Sequence, residues 1–268
     1  MSLIHFLPGV VKELLKHVPS LAIELTDWDG VKRDLPLITS RLFTGSGVSP
    51  LIESQTRQIG SWVNFSTRTL PKEPMDVSSR QSKGDALLRY YFAQLYHSKG
   101  MFLDLRDSRF QWSGNKLHFH PSGFWYQFSP SFREGLLELY EGFYLGEDSK
   151  FESGLIATGL LNRAWPIEDE LEIKNLFRGH FGDSLDHPMR FNLQRFQETF
   201  KKIFEFLIRK KVKLSSEFML FGIYLVTLYL SLEGSGTEHS VKELFLEVHQ
   251  SLTTNQIPKT RNPPPPES

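Results

Sequence analysis

The sequence contains no cysteine at any of its 268 positions. Disulfide bonds, thiolate metal sites and cysteine nucleophiles are therefore excluded. A disulfide-stabilised secreted fold is excluded with them, and a reducing compartment fits the composition. We therefore expect a cytoplasmic protein, with peripheral association with a membrane as the alternative location.

The chain also has no excess of charge of either sign. Lys and Arg together number 31, as do Asp and Glu, so the formal net charge is zero. Nucleic-acid-binding domains are normally strongly basic, so we expect no nucleic-acid partner. Hydrophobic residues make up 40% of the chain and 22 residues are Phe. This is the composition of a folded globular protein that buries a large core.

One segment, Phe218 to Leu232, suggests a membrane span because it is apolar apart from Ser and Thr. It is shorter than the ~20 residues that a span needs, and Glu217 and Glu233 stand at its two ends. A helix that is apolar all round is usually buried in a large core. The sequence therefore predicts a central core helix here and no transmembrane span.

Composition and periodicity divide the chain into three parts. Residues 1–82 are a reduced N-terminal region of uncertain order, in which an initial helix precedes a stretch rich in Gly, Ser, Pro and Thr that favours loops and short strands. Residues 83–252 have clear helical periodicity and are predicted to form one helical domain. Residues 253–268 include four consecutive prolines, Pro263 to Pro266, and are predicted to be a disordered or extended tail.

The predicted fold class is mostly α (α+β), with a small β-hairpin region. Apolar spacing predicts helices over about 85–98, 130–144, 149–161, 169–181, 191–211, 215–232 and 240–252.

Local signals support several of these elements. Ser129 and Pro130 suit the N-cap and the first position of a helix. Ser149 and Ser215 are predicted to cap two later helices. Lys116 to Phe119 and Phe124 to Phe128 read as short strands separated by a Pro-Ser-Gly turn.

A helix carrying Gln94 is followed by Gly100-Met101-Phe102, by Gly123 and by Phe128-Ser129-Pro130. This order resembles the catalytic-loop module of the UbiB/ADCK-type atypical kinase-like family. In that family a helix with a Gln leads through Gly-Phe-Phe into His-x-Asp-Pro-His-Pro-Gly-Asn, and a hairpin follows to Asp-Phe-Gly and Leu-Ser-Pro. The likeness covers about Asp85 to Leu252. It implies a protein-kinase-like C-lobe.

The residues that carry the family's chemistry are replaced in this chain. By spacing from the matched residues, the catalytic Asp falls on Leu105, the metal-binding Asn on Phe110, and Asp-Phe-Gly on Pro121-Ser122-Gly123. Magnesium requires oxygen ligands, which Leu, Phe and Pro side chains do not supply. The family's Lys-x-Gly-Gln is absent as well.

The resemblance therefore implies a non-catalytic pseudokinase without a cofactor. Such a protein would act by binding a protein or lipid partner. By analogy with the family alone, its role would be linked to quinone or lipid metabolism.

Two alternatives are open. A divergent ATP-dependent kinase or ATPase would move its metal ligands to Asp104, Asp107 or His120, all close to the lost catalytic positions. The structural interpretation is a solvated turn in which Asp104 or Asp107 pairs with a neighbouring Arg. His120 and the alternating His118 would then form a polar strand face.

The second alternative is a membrane-surface or lipid-binding helical module. The clearest basic patch comprises Lys201, Lys202, Arg209, Lys210, Lys211 and Lys213. Such a patch attracts anionic lipid or an acidic partner. Cations are also favourable at a helix C-terminus for structural reasons alone.

His180, Ser184 and His187 lie in a segment that also contains two Asp residues. A Ser/His/Asp set is conceivable there, but the chain has no G-x-S-x-G sequence. A polar loop is the favoured interpretation.

Overall fold

The structure is a computed structural model that describes residues 9–17, 20–66 and 74–254. The chain is mostly helical, as predicted. The helices are α1 (Gly9–Leu15), α2 (Ser20–Leu25), α3 (Trp28–Thr44), α4 (Val48–Ile59), α5 (Val77–Leu95), α6 (Pro130–Leu145), α7 (Asp148–Ala157), α8 (Ile167–Phe181), α9 (Leu193–Arg209), α10 (Ser216–Ser235) and α11 (Val241–Thr254). The strands are β1 (Asn64–Phe65), β2 (Met101–Phe102), β3 (Phe110–Ser113), β4 (Lys116–Phe119), β5 (Trp125–Tyr126), β6 (Met189–Arg190) and β7 (Glu238–His239).

Helix α10 is the centre of the core, in agreement with the prediction for Phe218 to Leu232. It packs against α1, α3, α5 and α9, and Tyr224 and Leu232 on it are completely buried. Its length and hydropathy would also suit a membrane span, but most of its side chains are enclosed by other parts of the fold. Burial on all sides explains why the helix has no polar face.

The local capping signals are confirmed for two helices. The Ser129 hydroxyl accepts a hydrogen bond from the Phe132 N–H at the start of α6, and Ser215 accepts one from Phe218 at the start of α10. The predicted cap at Ser149 is wrong, because α7 begins one residue earlier after Glu147.

The two short strands predicted from the sequence, at Lys116 to Phe119 and at Phe124 to Phe128, have different partners. Strand β4 pairs in antiparallel register with β3, and β5 pairs with β2. The hairpin turn is Gly114-Asn115, with φ of 56° at both residues, as a two-residue turn of this kind requires. Residues 110–119 alternate between apolar and polar side chains, which is the pattern of this hairpin.

The described part of the N-terminal region contains more helix than the sequence predicted. Loops and short strands were expected between residues 26 and 82, whereas α3 and α4 fill most of residues 28–59. The physical reason is clear in α4, where the buried positions include Leu51, Gln55 and Ile59. A buried Gln interrupts the apolar periodicity on which the prediction depends.

The N-terminal region and the helical domain share one hydrophobic core. The predicted boundary between residues 82 and 83 falls inside α5. Strand β1 pairs in parallel with β4, and Thr26 forms a bridge with Leu214. The predicted tail lies outside the described residues from position 255 onward.

Candidate functional site

A polar cleft with a volume of about 660 Å³ opens between three parts of the chain. One wall is a face of α5, the second is the segment that follows α4, and the third is the turn end of the β3–β4 hairpin. Its described lining includes Ser61, Trp62, Asn64, Ser82, Asp85, Ala86, Arg89, Trp112, Asn115 and Lys116.

The α5 wall has helical spacing, since positions 82, 85, 86 and 89 fall on one face. Asp85 is held from behind by His239, whose Nδ1 lies 2.7 Å from Asp85 Oδ1. Gln81 donates a further hydrogen bond to the same oxygen at 3.3 Å. The His239 ring is completely buried, and its Nε2 lies 3.1 Å from Thr237 Oγ1. The orientation of the cleft carboxylate is therefore fixed by the buried His239 ring and by Gln81.

Gly84 makes this close packing possible. A Cβ at position 84 would overlap the imidazole of His239. Only glycine lets the His239 ring lie directly against α5.

The charges around the cleft are balanced. Nε of Arg89 donates to Oε2 of Glu247 at 2.8 Å, so its charge is compensated by α11. Lys116 is exposed at the hairpin end, and Asp85 supplies the opposite sign on α5.

Two tryptophans contribute to the cleft walls. Trp112 is opposite Leu117 in the hairpin register, on the same strand face as Phe110 and Phe119, whose rings stack with centroids 4.6 Å apart. Trp112 thus continues an aromatic layer from the core to the cleft. On the other wall, Nε1 of Trp62 is buried and has no hydrogen-bond partner in the part of the chain that the structure describes.

Asp104 is buried, with 2% of its side chain exposed, and is bound by two guanidinium groups. Arg106 donates from Nε and Nη2 at 2.7 Å each, and Arg109 donates from Nε at 2.9 Å. Burial raises the pKa of the Asp104 carboxyl, but the hydrogen bonds and charges of the two arginines outweigh it, so the pKa is lower than usual. The predicted Asp–Arg pairing is confirmed for Asp104. The expectation of a solvated turn is wrong for this residue.

The other two candidate metal ligands have separate partners. Asp107 forms an ion pair with Lys83, and Nε2 of His120 lies 3.1 Å from Oε1 of Gln111. Within residues 9–17, 20–66 and 74–254, no three His, Asp or Glu side chains are grouped as a metal site requires. The structure does not assemble Asp104, Asp107 and His120 into a cation site.

The positions that the kinase resemblance assigns to catalysis are part of the core. Leu105 and Phe110 are buried. The backbone of α3 lies against Gly123, where a Cβ would overlap the Arg41 carbonyl oxygen. The Arg41 guanidinium also covers the Trp125 ring at 3.6 Å. Helix α3 therefore closes over Pro121-Ser122-Gly123, the segment to which the resemblance assigns Asp-Phe-Gly.

Gln94 has a structural role in this fold. Its Nε2 donates to the Tyr224 hydroxyl at 2.9 Å, and its Oε1 accepts from the Phe102 N–H at 2.8 Å. Gln55 on α4 donates to the same Oε1 at 3.2 Å. These buried bonds connect α4, α5 and α10.

Two residues of the predicted basic patch form ion pairs with α8, and the others are exposed. Arg209 pairs with Glu172, and Lys210 pairs with Asp169, both on α8. Lys202, Lys211 and Lys213 are exposed. Lys201 is exposed as well and lies 3.8 Å from Glu205.

His180 and Ser184 have different partners and do not form a catalytic pair. Nδ1 of His180 lies 2.7 Å from Oγ1 of Thr199, whereas the Ser184 hydroxyl donates to the Phe181 carbonyl at 2.6 Å. Burial lowers the pKa of His180 to about 3, with a smaller contribution from the positive charge of Arg195. Asp186 and His187 are exposed.

No protein-family model and no curated protein matches this chain. The relationship to the UbiB/ADCK-type family stays a prediction.

The cleft residues were not singled out by sequence reasoning. The polar stripe of Ser82, Asp85 and Arg89 on α5 is a signal that would have indicated one wall. The other walls depend on contacts between segments far apart in the sequence.

Proposed function

We propose that the chain is a non-catalytic, pseudokinase-like protein of the UbiB/ADCK type that acts by binding. Its binding site is the cleft between α5, the segment after α4 and the β3–β4 hairpin. The packing of α3 on Gly123 is the main observation that supports a protein without catalytic activity.

This packing matters because the resemblance places magnesium and phosphates beside that segment. In phosphoryl transfer, catalysis consists mainly of positioning and charge stabilisation by metal-bound oxygens. Here the Arg41 carbonyl takes up the space above Gly123. Asp104, the nearest carboxylate in sequence to the lost catalytic position, is fully engaged by two arginines. Both contacts support a protein that does not transfer phosphate.

The cleft supports a binding role. Its volume is within the range of roughly 300–1,000 Å³ of small-molecule sites. Among its described lining residues, Asp85 is the one carboxylate. Acid–base hydrolysis of the glycosidase type uses two carboxylates on opposite sides of the bond that is cleaved. A single oriented carboxylate fits recognition better than hydrolysis.

The first test is thermal unfolding of the full chain with and without magnesium-ATP. We expect no shift. A nucleotide at ~100 times its Kd would stabilise the protein by ~2.7 kcal/mol, or on the order of 5–10 °C. A magnesium-dependent rise that the Asp104→Asn variant loses would contradict the proposal.

The second test addresses the cleft directly through intrinsic tryptophan fluorescence. The full chain is titrated with neutral disaccharides and with adenosine. We expect at least one saturable response, which Trp112→Ala removes. His118→Ala, on the opposite strand face of the same hairpin, is the matched control and should respond as the unaltered protein does. If none of the probes changes the tryptophan fluorescence, the result would argue against a binding role for the cleft.

A further inference from the structure

The charges of the cleft disfavour an anionic ligand. Asp85 and Lys116 carry opposite signs, and Arg89 is already paired with Glu247 at 2.8 Å. Phosphate groups are normally bound by several cations or by backbone N–H groups at a helix N-terminus. A phosphate in this cleft would instead meet the Asp85 carboxylate, which His239 and Gln81 hold in place.

The uncharged polar residues of the lining suit hydroxyl groups. Asn64 and Asn115 each present amide donors and a carbonyl acceptor, and Ser61 and Ser82 each present a hydroxyl. A ligand hydroxyl both donates and accepts hydrogen bonds, so it can pair with the amide N–H groups, the amide carbonyls or the serine hydroxyls. Both hydrogen bonds to Asp85 from His239 and Gln81 fall on Oδ1. Oδ2 is therefore the oxygen left to accept a bond from a ligand.

The two tryptophans supply flat apolar surfaces between these polar groups. Trp62 and Trp112 are both partly exposed and lie on different walls of the cleft. The face of an aromatic ring is electron-rich and attracts the weakly positive C–H groups of a ligand packed against it. A sugar ring has such C–H groups on its faces and hydroxyls around its edge.

We infer that the cleft binds a neutral saccharide, with Trp62 and Trp112 as stacking surfaces and Asp85 as a hydroxyl acceptor. This inference rests on the proposed function, which makes the cleft the binding site. It adds the chemical class of the ligand.

The experiment is calorimetric titration of the full chain with three neutral disaccharides: maltose, cellobiose and diacetylchitobiose. Adenosine and inorganic phosphate are titrated in parallel. At least one disaccharide should bind with a Kd of ~1 mM or tighter, and phosphate should not compete. Trp112→Ala should weaken that binding about tenfold or more, as expected when a stacking contact is lost.

Two more variants identify the groups involved. Asp85→Asn should weaken disaccharide binding, and it serves as the second test if Trp112→Ala fails to fold. Lys202→Glu, at an exposed position on α9 outside the cleft, should bind the disaccharide as the unaltered protein does. His118→Ala is the control for changes to the hairpin.

The outcomes separate the inference from the proposed function. If adenosine binds and Trp112→Ala removes that binding while no disaccharide binds, the saccharide inference is overturned and the cleft remains a binding site. If no probe binds, both are overturned. Disaccharide binding that is unchanged in Trp112→Ala and in Asp85→Asn would place the sugar elsewhere and overturn the inference.

Discussion

The carboxylate of Asp85 lies 2.7 Å from Nδ1 of His239, a residue 154 positions later in the chain. The contact joins α5 to β7, and the imidazole is completely buried behind the carboxylate. Thr237 contacts the other ring nitrogen at 3.1 Å. The acceptor that faces the cleft is thus positioned by the C-terminal part of the fold.

We predict that Gly84→Ala destabilises the protein, although Ala is normally the better residue inside a helix. The added methyl group would overlap the His239 imidazole. Overpacking of this kind costs about 1–3 kcal/mol, more than the ~1 kcal/mol gained from helix propensity. Urea unfolding should show a lower midpoint.

Gly179→Ala on α8 is the matched control, since nothing lies within 4 Å of a Cβ there. It should stabilise the protein by about 0.5–1 kcal/mol. A stabilising effect of both substitutions would show that the His239 ring is not held against α5.

The pairing of Asp104 with two arginines predicts a pH-dependent contribution to stability. Asp104→Asn should lower the free energy of unfolding at pH 7 by about 2–4 kcal/mol, because the two guanidiniums lose a buried anion. The folded pKa of Asp104 lies below its usual value. The contribution is therefore complete above the unfolded pKa of ~3.9 and is lost as the pH falls through the lower folded value.

Urea unfolding at pH 7 and pH 3 measures this difference. The difference in the free energy of unfolding between Asp104→Asn and the unaltered protein should be smaller at pH 3 than at pH 7. Asp186→Asn, at an exposed position, is the control and should have little effect at either pH. An equal gap at both pH values would mean that the carboxylate charge does not contribute.

His180 predicts a second pH effect, near neutrality. Burial lowers its pKa in the folded protein to about 3, while the unfolded chain takes up a proton near pH 6.5. Stability should therefore decrease as the pH falls below ~6.5, by about 1–2 kcal/mol at pH 5.

His180→Gln keeps a partner for Thr199 and should remove that part of the pH dependence. His187→Gln, which changes an exposed imidazole, should leave it unchanged. Thermal unfolding of the three proteins between pH 5 and 7 measures the effect. Parallel pH profiles for all three would exclude His180 as its source.

The basic patch predicts that its members differ in their effect on stability. Lys210→Glu should cost about 1–2 kcal/mol, because the new carboxylate would face Asp169 in a partly buried position. Lys202→Glu, at an exposed site, should cost less than ~0.5 kcal/mol. Urea unfolding distinguishes them.

Liposome sedimentation with anionic vesicles tests the membrane alternative on a variant in which exposed Lys202 and Lys211 are both changed to Glu. Reversal of exposed Lys202 and Lys211 should reduce any electrostatic binding. Equal sedimentation of the variant and the unaltered protein would exclude electrostatic binding through these lysines.

The sequence predicted the elements whose signals are local. Helix α6 follows from Ser129-Pro130 and is capped by Gly146, and α10 follows from its continuous apolar run. Helix α4 was missed because Gln55, a buried position, is polar and pairs with Gln94. No local pattern reveals that pairing, because its two residues lie 39 positions apart.

The candidate site follows the same rule. Asp104 and its two arginine partners lie within six consecutive residues, so their pairing could be predicted from the sequence. The contact of Asp85 with His239 could not, because the two residues are brought together only by the tertiary fold.

The bridge between Thr26 and Leu214 has a consequence for the order of assembly. The Asp27 N–H donates to the Leu214 carbonyl at 2.7 Å, so the first helices are completed by residues synthesised almost 190 positions later. Contacts between distant segments slow folding, because a long loop must close before they form. During translation the apolar faces of the N-terminal helices therefore stay exposed until α10 has been synthesised and has left the ribosome. In that interval the nascent chain is open to capture by chaperones.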